Sequence, residues 1–220
     1  MSLRNIMLRA AAGNGGAPVL QPTINAFTEY NGTLRPWSIT KPAGAVSGDL
    51  LVFLMGSGDG KTWISQDGLS TLWRQESTSS NTPVGFYRRL DASDNARTEY
   101  SFDASGGGGI NIAMTCLLIK NGAIDIFGNM SGAGPNAVAP SINVTDDNSL
   151  LIDYASADSG VSLVTAPAGM TLLDNNAGTS NVQNWIFTRT ANAGASGTAT
   201  VSTSGNNKNT LCSIKPYQQF

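Results

Sequence analysis

Apolar residues recur at every second position in short runs along this chain, and glycine, asparagine and aspartate break the runs apart. Ile24-Asn-Ala-Phe-Thr-Glu-Tyr30 is one such run, and the Asn31-Gly32 pair after it predicts a tight turn. The longest unbroken apolar stretch, Leu50-Leu-Val-Phe-Leu-Met55, sits between Gly48-Asp49 and Gly56 and predicts a buried strand. Further on, Val84-Gly-Phe-Tyr-Arg-Arg-Leu90 and Thr98-Glu-Tyr-Ser-Phe-Asp103 read the same way, the second alternating through Tyr100 and Phe102. From Ile110 to Lys120, strand geometry puts Ile110, Ile112, Met114 and Cys116 on one face. The same vocabulary returns at residues 150–155, 170–173, 184–190, 197–202 and 211–215, and no window after Pro18 carries a period of 3.6. Many short strands with this punctuation predict an all-β fold, a two-sheet antiparallel sandwich of jelly-roll type.

The second half of the text echoes the first at an offset of 100 residues, with Asp49-Leu50-Leu51 matching Ser149-Leu150-Leu151. Thr71-Leu72 matches Thr171-Leu172, and Phe86-Tyr87-Arg88-Arg89 lies opposite Ile186-Phe187-Thr188-Arg189. Cys116 with Ile119-Lys120 matches Cys212 with Ile214-Lys215 at a slightly shorter offset. One unit is therefore used twice, and each copy alone leaves a sheet with a bare apolar face that packing against the other covers. Residues 121–140 are rich in glycine, alanine and proline but include Ile124, Ile126 and Phe127, so no linker divides the halves. A single sandwich over residues 19–220 is expected rather than two in tandem.

Residues 1–18 stand apart as an N-terminal arm: Arg4 and Arg9 with no acid, ending in a Gly/Ala/Pro run. Leu3, Ile6, Met7 and Ala10 fall at helical spacing, so the arm can order as a short helix against a partner. With Arg4 and Arg9 interrupting its start, the chain shows no apolar leader stretch, and no run approaches the roughly 20 apolar residues of a spanning helix. It is expected to be made in a cytoplasm.

Composition narrows the chemistry. Charged residues are 13% of the 220, about half the usual share, and the formal net charge is −2. Thirteen Lys plus Arg against 15 acids leave no footprint for nucleic acid. The chain has no histidine, which removes imidazole bases, Ser-His-Asp and Cys-His arrangements and histidine metal sites. Two cysteines make neither a disulfide framework nor a four-ligand zinc site. No cofactor or metal is expected, and no catalytic residue.

Some local patterns invite more. Gly56-Ser-Gly-Asp-Gly60-Lys61-Thr62 follows a strand as a phosphate-binding loop does, but the required first glycine falls on Met55 and no helix follows; it reads as a hairpin loop. Ser38 and Lys41 have the spacing of a nucleophile and its amine on a helix, yet Pro42 biases Lys41 away from helix. Asp59 and Asp158 occupy matching loops and offer oxygen ligands to calcium, though Asp146-Asp147, Asp91 and Asp94 show that aspartates here serve turns. Of Trp37, Trp63, Trp73 and Trp185, at least two belong to the core. Trp63, beside the glycine-rich loop, is the best candidate for an exposed contact. Cys116 and Cys212 are expected as small buried hydrophobes at equivalent positions.

Gly48-Asp49-Leu50-Leu51-Val52-Phe53, the turn Ala166-Pro167-Ala168-Gly169 before Met170-Thr171, and Phe86-Tyr87-Arg88-Arg89 leading to Tyr100-Ser101-Phe102 together resemble a β-sandwich domain of tailed-bacteriophage structural proteins, found on heads and tail appendages. The resemblance spans about residues 20–216 and implies a virion protein without catalytic residues. The expected function is a head decoration, or cement, protein that binds the major capsid protein or other virion proteins. Arg4, Arg9 and Trp63 are the candidate partner-binding residues. A homo-oligomer is expected, a trimer being the form that capsid threefold positions would favour; neither nucleic acid nor membrane is an expected partner. The alternative is a tail or head-fibre module that reads host-surface glycans.

Overall fold

The computed structural model describes residues 19–33, 36–57, 63–65, 68–74, 83–104, 111–128, 134–158, 160–177 and 182–217. Among these the chain is antiparallel strand throughout, with a single turn of 3-10 helix at Ala92–Asp94 and no α-helix. The arm, residues 1–18 with Arg4 and Arg9, lies outside the described residues. The first half contributes β1 (Thr23–Gly32), β2 (Trp37–Thr40), β3 (Leu50–Ser57), β4 (Trp63–Ser65), β5 (Ser70–Arg74), β6 (Val84–Arg89), β7 (Glu99–Ala104) and β8 (Ile112–Lys120). The second contributes β9 (Gly122–Phe127), β10 (Gly134–Ala139), β11 (Asn143–Val144), β12 (Ser149–Asp158), β13 (Leu163–Thr165), β14 (Thr171–Ala177), β15 (Val182–Ala191), β16 (Gly194–Ala195) and β17 (Ala199–Pro216).

Each half builds the same two layers, as separate five- and three-stranded sheets in the first and as one seven-stranded sheet in the second. In the first, β1-β8-β3-β6-β5 form a five-stranded sheet and β2-β7-β4 a three-stranded one. In the second, β9-β17-β12-β15-β14 repeat the five-stranded order, and β10 and β13 flank the start of β17 as β2 and β4 flank β7. The 18 residues of β17 thus do the work of both β7 and β8. Eight strands in two such sheets make a jelly roll, so that order occurs once in each half. The short β11–β16 pair is an addition of the second half.

The repeat extends to its irregularities. An extra residue bulges out of β1 between Ile24 and Ala26, and another out of β9 between Ile124 and Ile126. A second matched pair places Leu72 in β5 and Leu173 in β14 outside the ladder. Bulges bend a strand and tighten its twist, so keeping both pairs keeps the curvature of the two edges alike.

The five-stranded sheets face each other across a central core in which Leu50, Val52, Leu54, Leu117 and Ile119 meet Ile152, Tyr154, Ile186, Cys212 and Ile214. Two antiparallel sheets whose bare apolar faces cover one another are as expected from sequence, but the jelly-roll order occurs once in each half rather than once across residues 19–220. Each sheet is backed on its other face by the three-stranded layer of its own half, which the sequence did not reveal. β3 is therefore buried on both faces along all eight residues, the physical reason for its unbroken apolar run.

Registers correct the alignment of the halves by one residue in places. Phe53 of β3 pairs with Phe86, and Asp153 of β12 with Phe187, so Phe86 corresponds to Phe187 rather than Ile186. Likewise Leu72 corresponds to Leu173. Phe53 pairs on its other side with Cys116, and Asp153 with Leu211, so the two cysteines are not equivalent. Cys116 faces the interior of the first half, Cys212 the central core; both are buried and free. A one-residue slip turns a strand side chain to the opposite face, and loop-length differences between the halves introduce that slip. Asn31-Gly32 also departs from expectation. Both residues continue β1, paired with Ala113 and Ile112, and Gly32 leaves room for the Tyr30 ring, whose hydroxyl would lie 2.4 Å from any added Cβ.

Candidate functional site

The residues singled out from sequence mostly serve the frame. Trp37, Trp73 and Trp185 are core residues. Trp63 opens β4, an edge strand, paired with Ala104; its side chain lies outside the described residues, as do Asp59 and Lys61. Ser38 sits in β2, while Lys41 donates from Nζ to the carbonyl of Asp94 at 2.8 Å and so props a turn. Asp158 ends β12, and among the described residues no three acids or cysteines gather as a metal site.

Among the described residues two polar clusters stand out, and the sequence reading offered neither as a site. The first is a seam along one edge of the contact between the halves. Glu29 on β1 hydrogen-bonds Asp174 on β14, and the Thr115 hydroxyl donates to the other side of that pair, to Asp174 Oδ2, at 2.9 Å. Next along, Asn31 donates to Asn176 Oδ1 at 2.5 Å, and Asn176 donates in turn to the carbonyl of Met114 at 3.0 Å. Asn184 on β15 donates to the carbonyl of Ala113 at 2.9 Å. These amide-to-backbone bonds fix one sheet against the other in a single register, which the apolar core beside them does not do. At the end of the row Gly56 permits close approach: an added Cβ would lie 2.4 Å from Ser156 Oγ and 2.8 Å from Asn184 Oδ1. Partial burial, then the hydrogen bond and the charge of Asp174, raise the Glu29 carboxyl to about 7. A carboxyl so raised keeps its proton up to near neutrality.

The second cluster lies inside the second half. Asp153 is fully buried between Leu151 and Ala155 on β12, and burial pushes its carboxyl well above the usual range, with Asn209 opposing. Asn207 donates to the carbonyls of Gly134 and Val201 and to Thr203 Oγ1, tying β10 to the bend of β17. Arg189 donates to the carbonyl of Ser196, while its Nε is buried without a partner. Its counterpart Arg88 has a carboxylate instead: Nε lies 2.9 Å from Asp94 Oδ2. Asp94 is buried at the 3-10 turn and also accepts from the Asp91 backbone N–H at 3.0 Å. Burial works to raise the Asp94 carboxyl, but Arg88 and that N–H outweigh it and hold it below the usual range.

At the junction of the halves Arg89 donates to the carbonyls of Gly48 and Gly122, at 2.7 and 2.5 Å, and stacks 3.9 Å from the Tyr217 ring centroid. The chain turns there on Asn121, whose positive φ of 54° is one a short polar residue tolerates. One sequence signal pointed to the second cluster: aligning Leu51-Val-Phe53 with Leu151-Ile-Asp153 puts an acid where the other half has an aromatic. The seam left no such signal, because its partners lie 59 to 145 residues apart.

Comparison with protein-family models, with curated proteins and with solved structures finds no match to this chain.

Proposed function

We propose that this chain is a non-enzymatic structural protein of a bacteriophage virion, a head decoration protein that binds the capsid shell and stabilises it. The observation that carries the reading is the architecture: a jelly-roll order, a fold that serves viral capsid and lectin domains, used twice and locked back to back. Fold alone does not fix function, so the reading also leans on how the polar groups are spent. The buried acids, amides and arginines described above hold strands, turns and the seam, and none of them stands beside a nucleophile in an open cleft. The arm adds Arg4 and Arg9 as cationic contacts for an acidic shell, together with a homo-oligomeric arrangement on the particle.

A tail or head-fibre module that binds host-surface glycans is the second reading. It is favoured by Trp63 at the head of an edge strand, in a fold that lectins share. Immunogold labelling of intact virions with antibody to this chain separates the two. Gold scattered over heads is the expected result; gold confined to tails, or absent from particles, overturns the decoration reading. Deleting residues 1–18 should abolish binding to purified capsids, whereas Trp63→Ala should abolish cell binding only under the glycan reading.

A further inference from the structure

The two halves enclose equivalent interiors and fill them differently. From the three-stranded layer of the first half, Trp37 and Ile39 pair with Phe102 and Tyr100 and close over Phe53. Their counterparts by register are Ala137 and Ala139, paired with Val201 and Ala199. Phe53 itself becomes Asp153. The second interior thus combines smaller side chains with a polar centre. Its apolar residues form two clusters, one containing Leu151 and Leu211, the other Ala155, Trp185 and Phe187, and Asp153 stands between them.

At 0% exposure neither Asp153 oxygen makes a hydrogen bond of ordinary geometry, and the Asn209 side chain is near enough only to oppose the effect of burial. Its diagonal neighbours on the flanking strands, pointing to the same side, are Arg189 and Trp185 on β15 and Ser213 and Asn209 on β17. Three of these also carry a buried polar atom without a partner: Arg189 Nε, Trp185 Nε1 and Ser213 Oγ. Diagonal neighbours in a sheet stand about 7–8 Å apart, a span that water can bridge between Asp153 and polar groups that do not bond it directly. An interior lined by carbon stays dry, whereas a polar one with room holds water that makes about three hydrogen bonds per molecule. The exchange of Trp37, Ile39 and Tyr100 for alanines removes side-chain volume from this interior, and the orphaned atoms offer the bonds.

We propose that the interior of the second half is a binding site for ordered water, built around the Asp153 carboxyl, and that the first half has no such site because Phe53 occupies its place. Water there accepts from the Trp185 indole and from Arg189 Nε–H, and exchanges hydrogen bonds with Asp153 and the Ser213 hydroxyl.

A high-resolution crystal structure of the full chain, grown without added divalent cations, tests this directly. The expected result is density at roughly 2.7–3.2 Å from a carboxyl oxygen of Asp153 and from at least one of Trp185 Nε1, Arg189 Nε or Ser213 Oγ. A dry interior overturns the proposal. So does density at about 2.3–2.6 Å with six or more oxygen ligands, which is a hard cation. Oxygen-17 relaxation dispersion counts long-lived internal water in solution. Asp153→Leu, where it folds, should lower that count relative to wild type, while Phe53→Leu leaves it unchanged; equal counts for wild type and Asp153→Leu overturn the proposal.

Discussion

The interior of the first half is a single aromatic-rich cluster; the interior of the second is small, polar and divided, yet both sit inside the same strand order with the same two bulges. In the first, Phe53 meets Tyr100 and Phe102 edge-on, with ring centroids at 5.1 and 5.4 Å. In the second, the matching positions hold Asp153, Ala199 and Val201. The arginine that pairs with Leu51 in one half and Leu151 in the other is kept, and among the described residues Arg88 is ion-paired, with Asp94, where Arg189 bonds a carbonyl. Alternation, turns and bulges therefore specify this fold, and the filling of each interior is free to diverge once the shared central core holds the halves together.

Breaking the better-filled half should have the largest effect. Phe53→Ala removes a fully buried ring and should cost about 3–5 kcal/mol in chemical denaturation, whereas Asp153→Ala should cost about 1 kcal/mol or less. Equal losses would erase the contrast. Asp94→Asn strands the Arg88 guanidinium and should cost about 2–3 kcal/mol, below the value of a sealed pair because Arg88 keeps some contact with water. Since the folded carboxyl of Asp94 lies below its unfolded value, its contribution is present above the ordinary carboxylate pKa and is lost as pH falls through the lower folded one. Acid titration of stability should show that loss in wild type and not in Asp94→Asn.

The contact between the halves offers a subtler pair. Gly56→Ala drives a methyl group into Ser156 and should cost about 1–3 kcal/mol; Ser156→Gly, the mirror change, should restore at least half of it in a double-mutant cycle. No rescue would place the clash on Asn184 or Val182 rather than on Ser156. The smallest effect belongs to Glu29. Its folded carboxyl is raised to about 7, so the stabilisation it gives is complete below about 4.5 and fades as pH rises through 7. Glu29→Gln should flatten the pH dependence of the melting temperature over that window, by about 1 kcal/mol at most because one side of Glu29 is open to water. A slope unchanged by the substitution would assign it to another group.

Much of the frame was legible in the text. The alternation around Tyr100 and Phe102, the unbroken run of β3 and the 100-residue echo announced a β-sandwich built from a repeated unit, though not that each repeat is a jelly roll of its own. What stayed hidden was of one kind. Sequence alignment matches like letters, so it set Cys116 against Cys212, while hydrogen-bond register, shifted by bulges and loop lengths, sets Cys116 against Leu211. The backing layers were hidden too, because short strands such as β4 and β13 carry three residues each and no period can be read from three. Of the candidate contacts, Arg4, Arg9 and the Trp63 side chain lie outside the described residues. Asp153 and the Glu29–Asp174 pair are visible only when strands from distant parts of the text are brought together.

The length of β17 has a mechanical consequence. Both halves stack an outer layer on an inner one. In the second, one strand is laddered into both layers, to β10 and β13 at its start and to β12 and β9 further on. A pull along β17 loads those ladders in shear, many bonds at once, and neither layer can slide without dragging its partner. The half with the softer filling is therefore tied layer to layer by its own backbone.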